Sequence, residues 1–126
     1  MAMARRSTIE RGAAAEAAAA EYLQTQGLLV LARNLRCRAG ELDLVCLDGG
    51  VIVIVEVRYR ATSEFGGALA SVTWRKRRKL IRATEFLRQR LPEWHARALR
   101  FDVIAVQGGP DGTQQMNWVR DAFRLT

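Results

Sequence analysis

Residues 41–58 read ELDLVCLDGGVIVIVEVR and decide the fold that we predict. The segment Glu41 to Leu47 alternates acidic and apolar residues, whereas Val51 to Val57 is nearly all β-branched, as in a strand that is buried on both faces. Asp48-Gly49-Gly50 separates the two segments and is typical of a tight turn. The stretch therefore predicts a hairpin whose second strand lies inside a sheet.

The residues before this hairpin predict a helix and a strand. The composition from Thr8 to Gln26 is helix-forming, and Gly27 suits a C-terminal cap. The residues spaced to line one face of this helix are Ile9, Ala13, Ala17, Ala20 and Leu23. The apolar run from Leu28 to Ala32 predicts a strand, and the basic segment from Arg33 to Arg38 predicts a connection that ends at Gly40.

The residues after the hairpin predict a second helix and two more strands. Gly66-Gly67 marks a loop. Leu80, Thr84, Leu87 and Leu91 then recur at helical spacing until Pro92, with Ser71 or Thr73 as N-cap. Strands are predicted at Leu99 to Val106 and Met116 to Arg120, separated by the turn 108–112. The order αβββαββ has a helix between its third and fourth strands, so we expect one α/β domain over residues 1–126, with a mixed sheet flanked by helices.

The composition limits the partners and the compartment. The 126 residues include 20 Lys and Arg against 13 Asp and Glu, and a net charge of +7 favours polyanions such as nucleic acid. Cys37 and Cys46 lack both a zinc spacing and a disulfide framework. No apolar run is long enough for a membrane span, so we expect a cytoplasmic protein with no membrane partner. His95 is the only histidine, which excludes a multi-histidine metal site.

The register of the hairpin decides whether its acidic residues meet. If Gly49-Gly50 forms a two-residue turn, Asp43 lies opposite Glu56 and Glu41 opposite Arg58. If Asp48-Gly49 forms the turn, Asp43 lies opposite Ile54, still on the face that carries Glu56. A three-residue turn without a bulge would separate the two acids.

Opposed carboxylates need a partner between them. Side chains opposite each other on paired strands lie about 5 Å apart at Cβ, where two carboxylates repel unless a proton or a cation intervenes. Mg²⁺ suits the position because it binds one or two carboxylates together with water and phosphate. The alternative is that Glu41 pairs with Arg58 and the other acids are solvated at the sheet margin. Spacing alone favours that alternative.

Short motifs along the chain add a resemblance. They are Gly12 with Glu16, Tyr22-Leu23, Asn34, Gly40-Glu41-Leu42-Asp43-Leu44, Val55-Glu56-Val57-Arg58-Tyr59-Arg60, Phe65-Gly66, Lys76 and Arg100-Phe101-Asp102-Val103. Together they resemble the YraN family over almost the whole chain. That family is similar to the PD-(D/E)xK nucleases, especially to archaeal Holliday-junction resolvases. The resemblance implies a restriction-endonuclease-like αβββαβ core.

The resemblance also implies a site. Asp43 and Glu56 match the metal-binding carboxylates, the backbone carbonyl of Val57 is a further ligand, and Glu16 matches an additional acid of the resolvase-like branch. Glu41 is expected to support or pair. The implied cofactor is Mg²⁺ or Mn²⁺, and the implied partner is nucleic acid, DNA in the first place. Without the resemblance, Glu16 would be a solvated helix acid.

Arg58 departs from the nuclease pattern, which has Lys at this position. An arginine can hold a phosphate and stabilise developing charge, but it is a poor general base because it keeps its proton. The substitution weakens the case for catalysis by Asp43, Glu56 and Arg58 without removing it, since a metal-bound water needs no lysine to ionise.

Residues 74–79, WRKRRK, put five cations at the predicted start of the second helix. Cations at a helix N-terminus are unfavourable unless an anion is bound nearby. A solvated face and a phosphate-binding role are equally compatible with such a run, and its location favours phosphate. The candidate nucleic-acid contacts are Arg58, Arg60, Arg75, Lys76, Arg77 and Lys79. We expect Trp74 to pack against the sheet.

Three functions remain open. The first is a Mg²⁺-dependent endonuclease that acts on DNA, including branched or single-stranded DNA. The second is a non-catalytic nucleic-acid-binding protein that retains a nuclease fold. The third and weakest is a module that binds an acidic protein. Symmetric cutting of a branched junction would also call for a two-fold homodimer.

Overall fold

The computed structural model describes residues 8–60, 72–108 and 113–124. In chain order, the elements are α1 (Thr8–Thr25), β1 (Leu29–Cys37), β2 (Gly40–Asp48), β3 (Val51–Arg60), α2 (Trp74–Arg90), α3 (Pro92–His95), β4 (Leu99–Gly108) and β5 (Gln114–Phe123). The five strands form one sheet in the order β1-β2-β3-β4-β5. Strands β3 and β4 are parallel and the other neighbours are antiparallel. The mixed sheet of an αβββαβ core is confirmed, and β5 extends it.

Helices cover both faces of the sheet. Leu23 of α1 packs in a cluster with Val53 and Ile104, whereas Leu80 of α2 packs in a second cluster with Ile54. The central strand β3 is therefore apolar on both sides, and its residues 52–56 are all buried. This arrangement explains the unbroken β-branched run, because neither face of β3 meets water along residues 52–56.

Two details of the first half differ from the sequence prediction. Ala20 and Leu23 of the predicted α1 face are buried as expected, but Ala13 and Ala17 are exposed, and Ala15 and Ala19 are buried in their place. The segment Arg33 to Arg38 is largely strand, because β1 continues to Cys37. As an edge strand, β1 has a side that meets solvent and tolerates charged side chains there, and the basic residues therefore do not end it.

Later elements also extend beyond their predicted bounds. Strand β5 has ten residues instead of the predicted five, and a short helix, α3, begins at Pro92. The predicted loop Gly66-Gly67, the alternative cap Ser71 and the turn residues 109–112 lie outside the described residues. No helix in the described part of the chain combines the length and the hydrophobicity needed to cross a bilayer.

A buried carboxylate joins β5 to the rest of the sheet. Asp102 on β4 is fully buried and accepts hydrogen bonds from Arg100 Nε at 3.0 Å, from Trp118 Nε1 at 2.9 Å and from the backbone N–H of Asp121 at 2.9 Å. The other end of the Arg100 guanidinium donates to Asp48 at 2.9 Å. A buried charge with several partners is stable only while those partners remain in place.

We therefore expect Asp102→Ala to lower the free energy of unfolding by about 3 kcal/mol, because it leaves buried donors on Arg100 and Trp118 without an acceptor. Trp118→Phe, which removes a single donor, should cost about 1–2 kcal/mol. Urea denaturation followed by circular dichroism measures both values. A loss below about 1 kcal/mol for Asp102→Ala would contradict this role.

Candidate active site

The turn between β2 and β3 sets the register of the two acidic strands. Asp48 pairs with Val51, which leaves Gly49 and Gly50 as the turn, and Gly49 has a φ of 60°. A positive φ at the first central residue fits a type II′ hairpin turn, where glycine is preferred. The first of the two predicted registers is confirmed. Counted along the ladder, the position opposite Asp43 is Glu56.

The two strands change their pairing at the acids. Regular backbone pairing between β2 and β3 runs from Asp48 to Leu44. At Asp43 a side-chain hydrogen bond to the backbone of β3 replaces it. The carboxylate oxygen Oδ2 of Asp43 accepts the backbone N–H of Val57 at 2.9 Å. Asp43 is therefore anchored to β3 immediately beside Glu56, and the two carboxyl groups are close enough to share a hydrogen bond.

Glu56 is a buried acid with cations on one side. Only 3% of its side chain is exposed, and its Oε1 lies 3.4 Å from Lys76 Nζ and 3.8 Å from Arg58 Nη1. Its Oε2 is buried, and no hydrogen-bond donor in the described part of the chain reaches it. Burial and the nearby Asp43 raise the pKa of Glu56 to about 8, although Lys76 opposes the shift. The geometry calls for a proton or a cation at Oε2.

Glu16 joins the acids from the opposite face of the sheet. It lies on α1, half-buried, in hydrogen-bonding contact with both Asp43 and Asn34. Burial and the negative charge of Asp43 raise the pKa of Glu16, and the Asn34 amide opposes this shift. The structure thus brings Glu16, Asp43 and Glu56 together as a chain of carboxyl groups with Asp43 in the middle.

Asn34 is a site residue whose role the sequence did not reveal. It lies in β1 with a φ of 49°, a left-handed conformation that asparagine tolerates better than most residues. Its amide contacts Glu16. The sequence shows only that an asparagine lies among basic residues at this position. It does not indicate that the asparagine contacts Glu16, which lies on α1.

The predicted pairing of Glu41 is wrong. Glu41 lies 3.5 Å from Arg36 of the neighbouring strand β1, with which it is paired in register, and not beside Arg58. The reason is that β2 and β3 leave regular pairing after Leu44, so the ladder does not continue to Glu41. Arg58 instead contacts Glu56 on its own strand. Arg60 ends β3, and its side chain lies outside the described residues.

The basic start of α2 divides into residues with different surroundings. Thr73 is the N-cap and accepts the backbone N–H of Lys76, so this prediction is confirmed. Arg75 and Lys79 are exposed, whereas Arg77 donates to the carbonyl of Val72 at 3.1 Å. Because Lys76 and Arg77 are only partly exposed and contact other residues, the basic run is only in part a solvated face.

Trp74, the first residue of α2, does not pack against the sheet as predicted. The residue is 73% exposed. Trp94, which belongs to α3, is buried, and Trp118 contacts Tyr22 edge-on at 6.1 Å, so both are packing residues.

The acids could contribute to a metal site without forming a complete one. In the described residues, no group of three or more Asp, Glu, His or Cys side chains is placed to hold a metal ion by itself. Mg²⁺ does not require such a group, because it commonly binds one or two carboxylates and fills its remaining positions with water and phosphate. The buried oxygen Oε2 of Glu56, beside Asp43, fits one of these ligands.

Comparison with known proteins places the chain in a family. The sequence model of uncharacterised protein family UPF0102 matches residues 15–106, a range that includes Glu16, Asp43, Glu56 and Lys76. The chain belongs to UPF0102. A UPF0102 protein of Pseudomonas putida strain GB-1 is 49% identical over 117 residues, covering 93% of this chain and 95% of the relative. Another, from Pseudomonas savastanoi pv. phaseolicola, is 46% identical over 121 residues, covering 96% and 98%.

The raised pKa of Glu56 predicts how the stability of this UPF0102 protein varies with pH in the absence of divalent metal. Between the ordinary value of 4.5 and about 8, the unfolded chain releases the Glu56 proton while the folded chain retains it. The free energy of unfolding therefore falls as pH rises through this window and levels off above it. Glu56→Gln should remove the effect and stabilise the protein at pH 9 by about 1–3 kcal/mol relative to the wild type.

Urea denaturation in EDTA at pH 5 and pH 9 measures this difference. The control is Glu85→Gln, since Glu85 is an exposed acid on α2. If wild type and Glu56→Gln lose the same stability between the two pH values, the buried carboxyl group is not responsible.

Proposed function

We propose that this UPF0102 protein is a metal-dependent endonuclease that hydrolyses phosphodiester bonds of DNA. The observation that carries the proposal is the meeting of Asp43 and Glu56 where β2 and β3 leave regular pairing, with Lys76 and Arg58 beside them. Acids that bind a cation and cations that bind a phosphate are the two parts that hydrolysis of a phosphodiester needs.

The sequence motifs support the same function. Asp43 and the pair Glu56 and Arg58 occupy the positions that the YraN resemblance relates to the PD-(D/E)xK nucleases. The confirmed fold has the αβββαβ order of such a core, with the acids on its second and third strands. The fold alone would not justify an activity, because one fold can host unrelated functions. The acids Asp43 and Glu56 and the cations Lys76 and Arg58, which meet at one point, are what favours a nuclease.

Asp43 and Glu56 would hold Mg²⁺ or Mn²⁺, with the backbone carbonyl of Val57 and Glu16 as further candidate ligands. When bound, the ion would polarise the scissile phosphate and lower the pKa of a water molecule. The protein fixes Asp43 through the N–H of Val57 and fixes Glu16 through Asn34. It also excludes water from Glu56, which strengthens every electrostatic interaction at that carboxylate.

Lys76 supplies the ammonium group that the strand lacks. The nuclease pattern has Lys where this chain has Arg58, yet Lys76 Nζ lies 3.4 Å from Glu56 Oε1, closer than Arg58 Nη1 at 3.8 Å. Both side chains are about two-fifths exposed, so each can turn from Glu56 to an incoming phosphate. Arg75 and Lys79 add exposed charge on α2, and Arg60 is a further candidate contact.

A second candidate function is non-catalytic binding of nucleic acid. It is favoured by the arginine at position 58, which can hold a phosphate but is a poor general base. On this alternative the basic residues contact the phosphates, and the carboxylates are relics of a nuclease. Metal binding separates the two functions.

We expect the wild type to bind Mn²⁺ with measurable heat, and Asp43→Asn and Glu56→Gln to weaken this binding at least tenfold, because each removes one charged ligand. Isothermal titration calorimetry is the measurement, and Glu85→Gln is the control. Cleavage of linear, single-stranded and four-way-junction DNA, assayed with and without Mg²⁺, completes the test. Equal Mn²⁺ binding by wild type and both site variants would refute the endonuclease and leave the binding protein.

The cations predict a separate set of effects on cleavage. Lys76→Ala should lower the cleavage rate by a factor of about 10² or more, because it removes charge stabilisation next to Glu56. Arg58→Lys should raise the rate, since a second ammonium group would stand at the position of the nuclease pattern. The rates are compared at saturating Mg²⁺, with Arg88→Ala at the far end of α2 as a charge-matched control. A Lys76→Ala variant that cleaves at the wild-type rate would show that this ammonium group takes no part.

A further inference from the structure

A second surface lies beside the acids and is not used by the mechanism above. It is a groove of about 550 Å³ between the first half of α2 and the end of β5. Its floor includes Ile81 and Phe123, and its rim includes Trp74, Arg78, Arg82 and Arg124. Every charged residue that lines it in the described part of the chain is an arginine. We call it the Trp74 groove.

The floor of the groove is well packed. The ring of Phe123 stacks on Phe101 with 4.8 Å between centroids and an angle of 14° between planes. The guanidinium of Arg77 lies 5.4 Å from the Phe123 centroid, and its Nε donates to the carbonyl of Val72. The side chain of Arg77 is therefore held by these contacts, and it is less available to bind a ligand than Arg78 or Arg82.

On the rim, Arg124 is paired with Asp121 at 3.1 Å, whereas the two arginines of α2 have no such partner in the part of the chain that the structure describes. Arg78 and Arg82 are exposed, four residues apart on α2, and neither has an ion-pair or hydrogen-bond partner among the described residues. Two like charges at this spacing destabilise a helix. The side chain of Trp74, 73% exposed, adds a large aromatic surface that meets water. The groove thus combines uncompensated positive charge with an open aromatic face.

We propose that the Trp74 groove binds single-stranded DNA, with an unpaired base stacked on Trp74 and the adjoining phosphates held by Arg78 and Arg82. The positive charge of the arginines favours a polyanion as the ligand. The exposed indole of Trp74 favours a polyanion with unstacked aromatic bases, which can stack on it. The bases of an intact duplex stack on each other and cannot offer such a face. An acidic protein would satisfy the arginines but would leave the indole unexplained.

The position of the groove connects it to the acids. Lys76, two residues after Trp74, reaches Glu56 on β3, and the strand that carries Phe123 lies two strand spacings, about 10 Å, from β3. A chain held in the groove would reach the candidate active site within a few nucleotides. The inference rests on the proposed function in taking nucleic acid as the substrate, and it narrows that substrate to DNA with an unpaired segment.

The test is binding of fluorescein-labelled oligothymidylate in EDTA, followed by fluorescence anisotropy, with a hairpin duplex of equal charge as the comparison. Trp74→Ala should weaken oligothymidylate binding about tenfold or more. Trp74→Phe should retain most of the wild-type affinity, because a phenyl ring still stacks on a base. The loss should be smaller on the duplex. Arg78→Ala and Arg82→Ala should weaken binding and reduce its salt dependence more than Arg88→Ala, which lies outside the groove.

A second measurement does not depend on the alanine variant being folded. Trp74 is the most exposed of the three tryptophans, so oligothymidylate should quench the intrinsic fluorescence of the wild type and should lose most of this effect in Trp74→Phe. Unchanged quenching in Trp74→Phe would overturn the proposal. So would equal losses on single strand and duplex in Trp74→Ala, or tighter binding of polyglutamate than of oligothymidylate.

The outcomes separate this inference from the nuclease. If the wild type cleaves DNA with Mg²⁺ but Trp74→Ala binds oligothymidylate as the wild type does, the groove assignment fails and the endonuclease stands. If no substrate is cleaved but Trp74→Ala loses single-strand binding, the groove assignment stands and the endonuclease fails.

Discussion

The two-residue turn at Gly49 and Gly50 is the constraint on which the site depends. Side chains alternate across a strand, so a slip of one residue in one strand would carry Asp43 to the opposite face from Glu56. The positive φ of Gly49 and the pairing of Asp48 with Val51 exclude that slip. Glu16 and Lys76 then approach this fixed pair from α1 and α2, on opposite sides of the sheet. The helices add groups to a position that the hairpin has already defined.

The burial of Glu56 sets the electrostatic character of the site. Two cations lie within 4 Å of its Oε1, yet the balance still favours the protonated acid, because burial and Asp43 outweigh them. Such a carboxyl group weakens the fold when it is charged and unaccompanied. The apolar packing of β3 against α1 and α2 offsets the unfavourable free energy of burying this charge. A site of this kind favours a cation more strongly than solvated acids at a sheet margin would.

The sequence predicted the hairpin, its register and the opposed acids, because turn glycines and β-branched runs act locally. It predicted the burial of Ala20 and Leu23 on α1 but not which of the earlier alanines are buried, since alanines on every side of a helix carry no difference in hydrophobicity. Arg33 to Arg38 suggested a connection because charge was read as a break, although an edge strand accepts charge on its exposed side. The contacts of Glu16 with Asn34 and of Lys76 with Glu56 depend on how α1 and α2 pack on the sheet, and periodicity does not give that geometry.

The crossover helix α2 explains why the acids and the Trp74 groove are neighbours. Strands β3 and β4 are parallel, so the chain must return across the sheet, and α2 begins near the end of β3 that carries Glu56. Its sheet-facing side brings Lys76 to that acid, while the flank that carries Trp74, Arg78 and Arg82 lies along the end of β5. A helix repeats every 3.6 residues, so a continuous basic run necessarily distributes its charges between both sides. A single run of cations can therefore serve a phosphate at the acids and a strand in the groove at the same time.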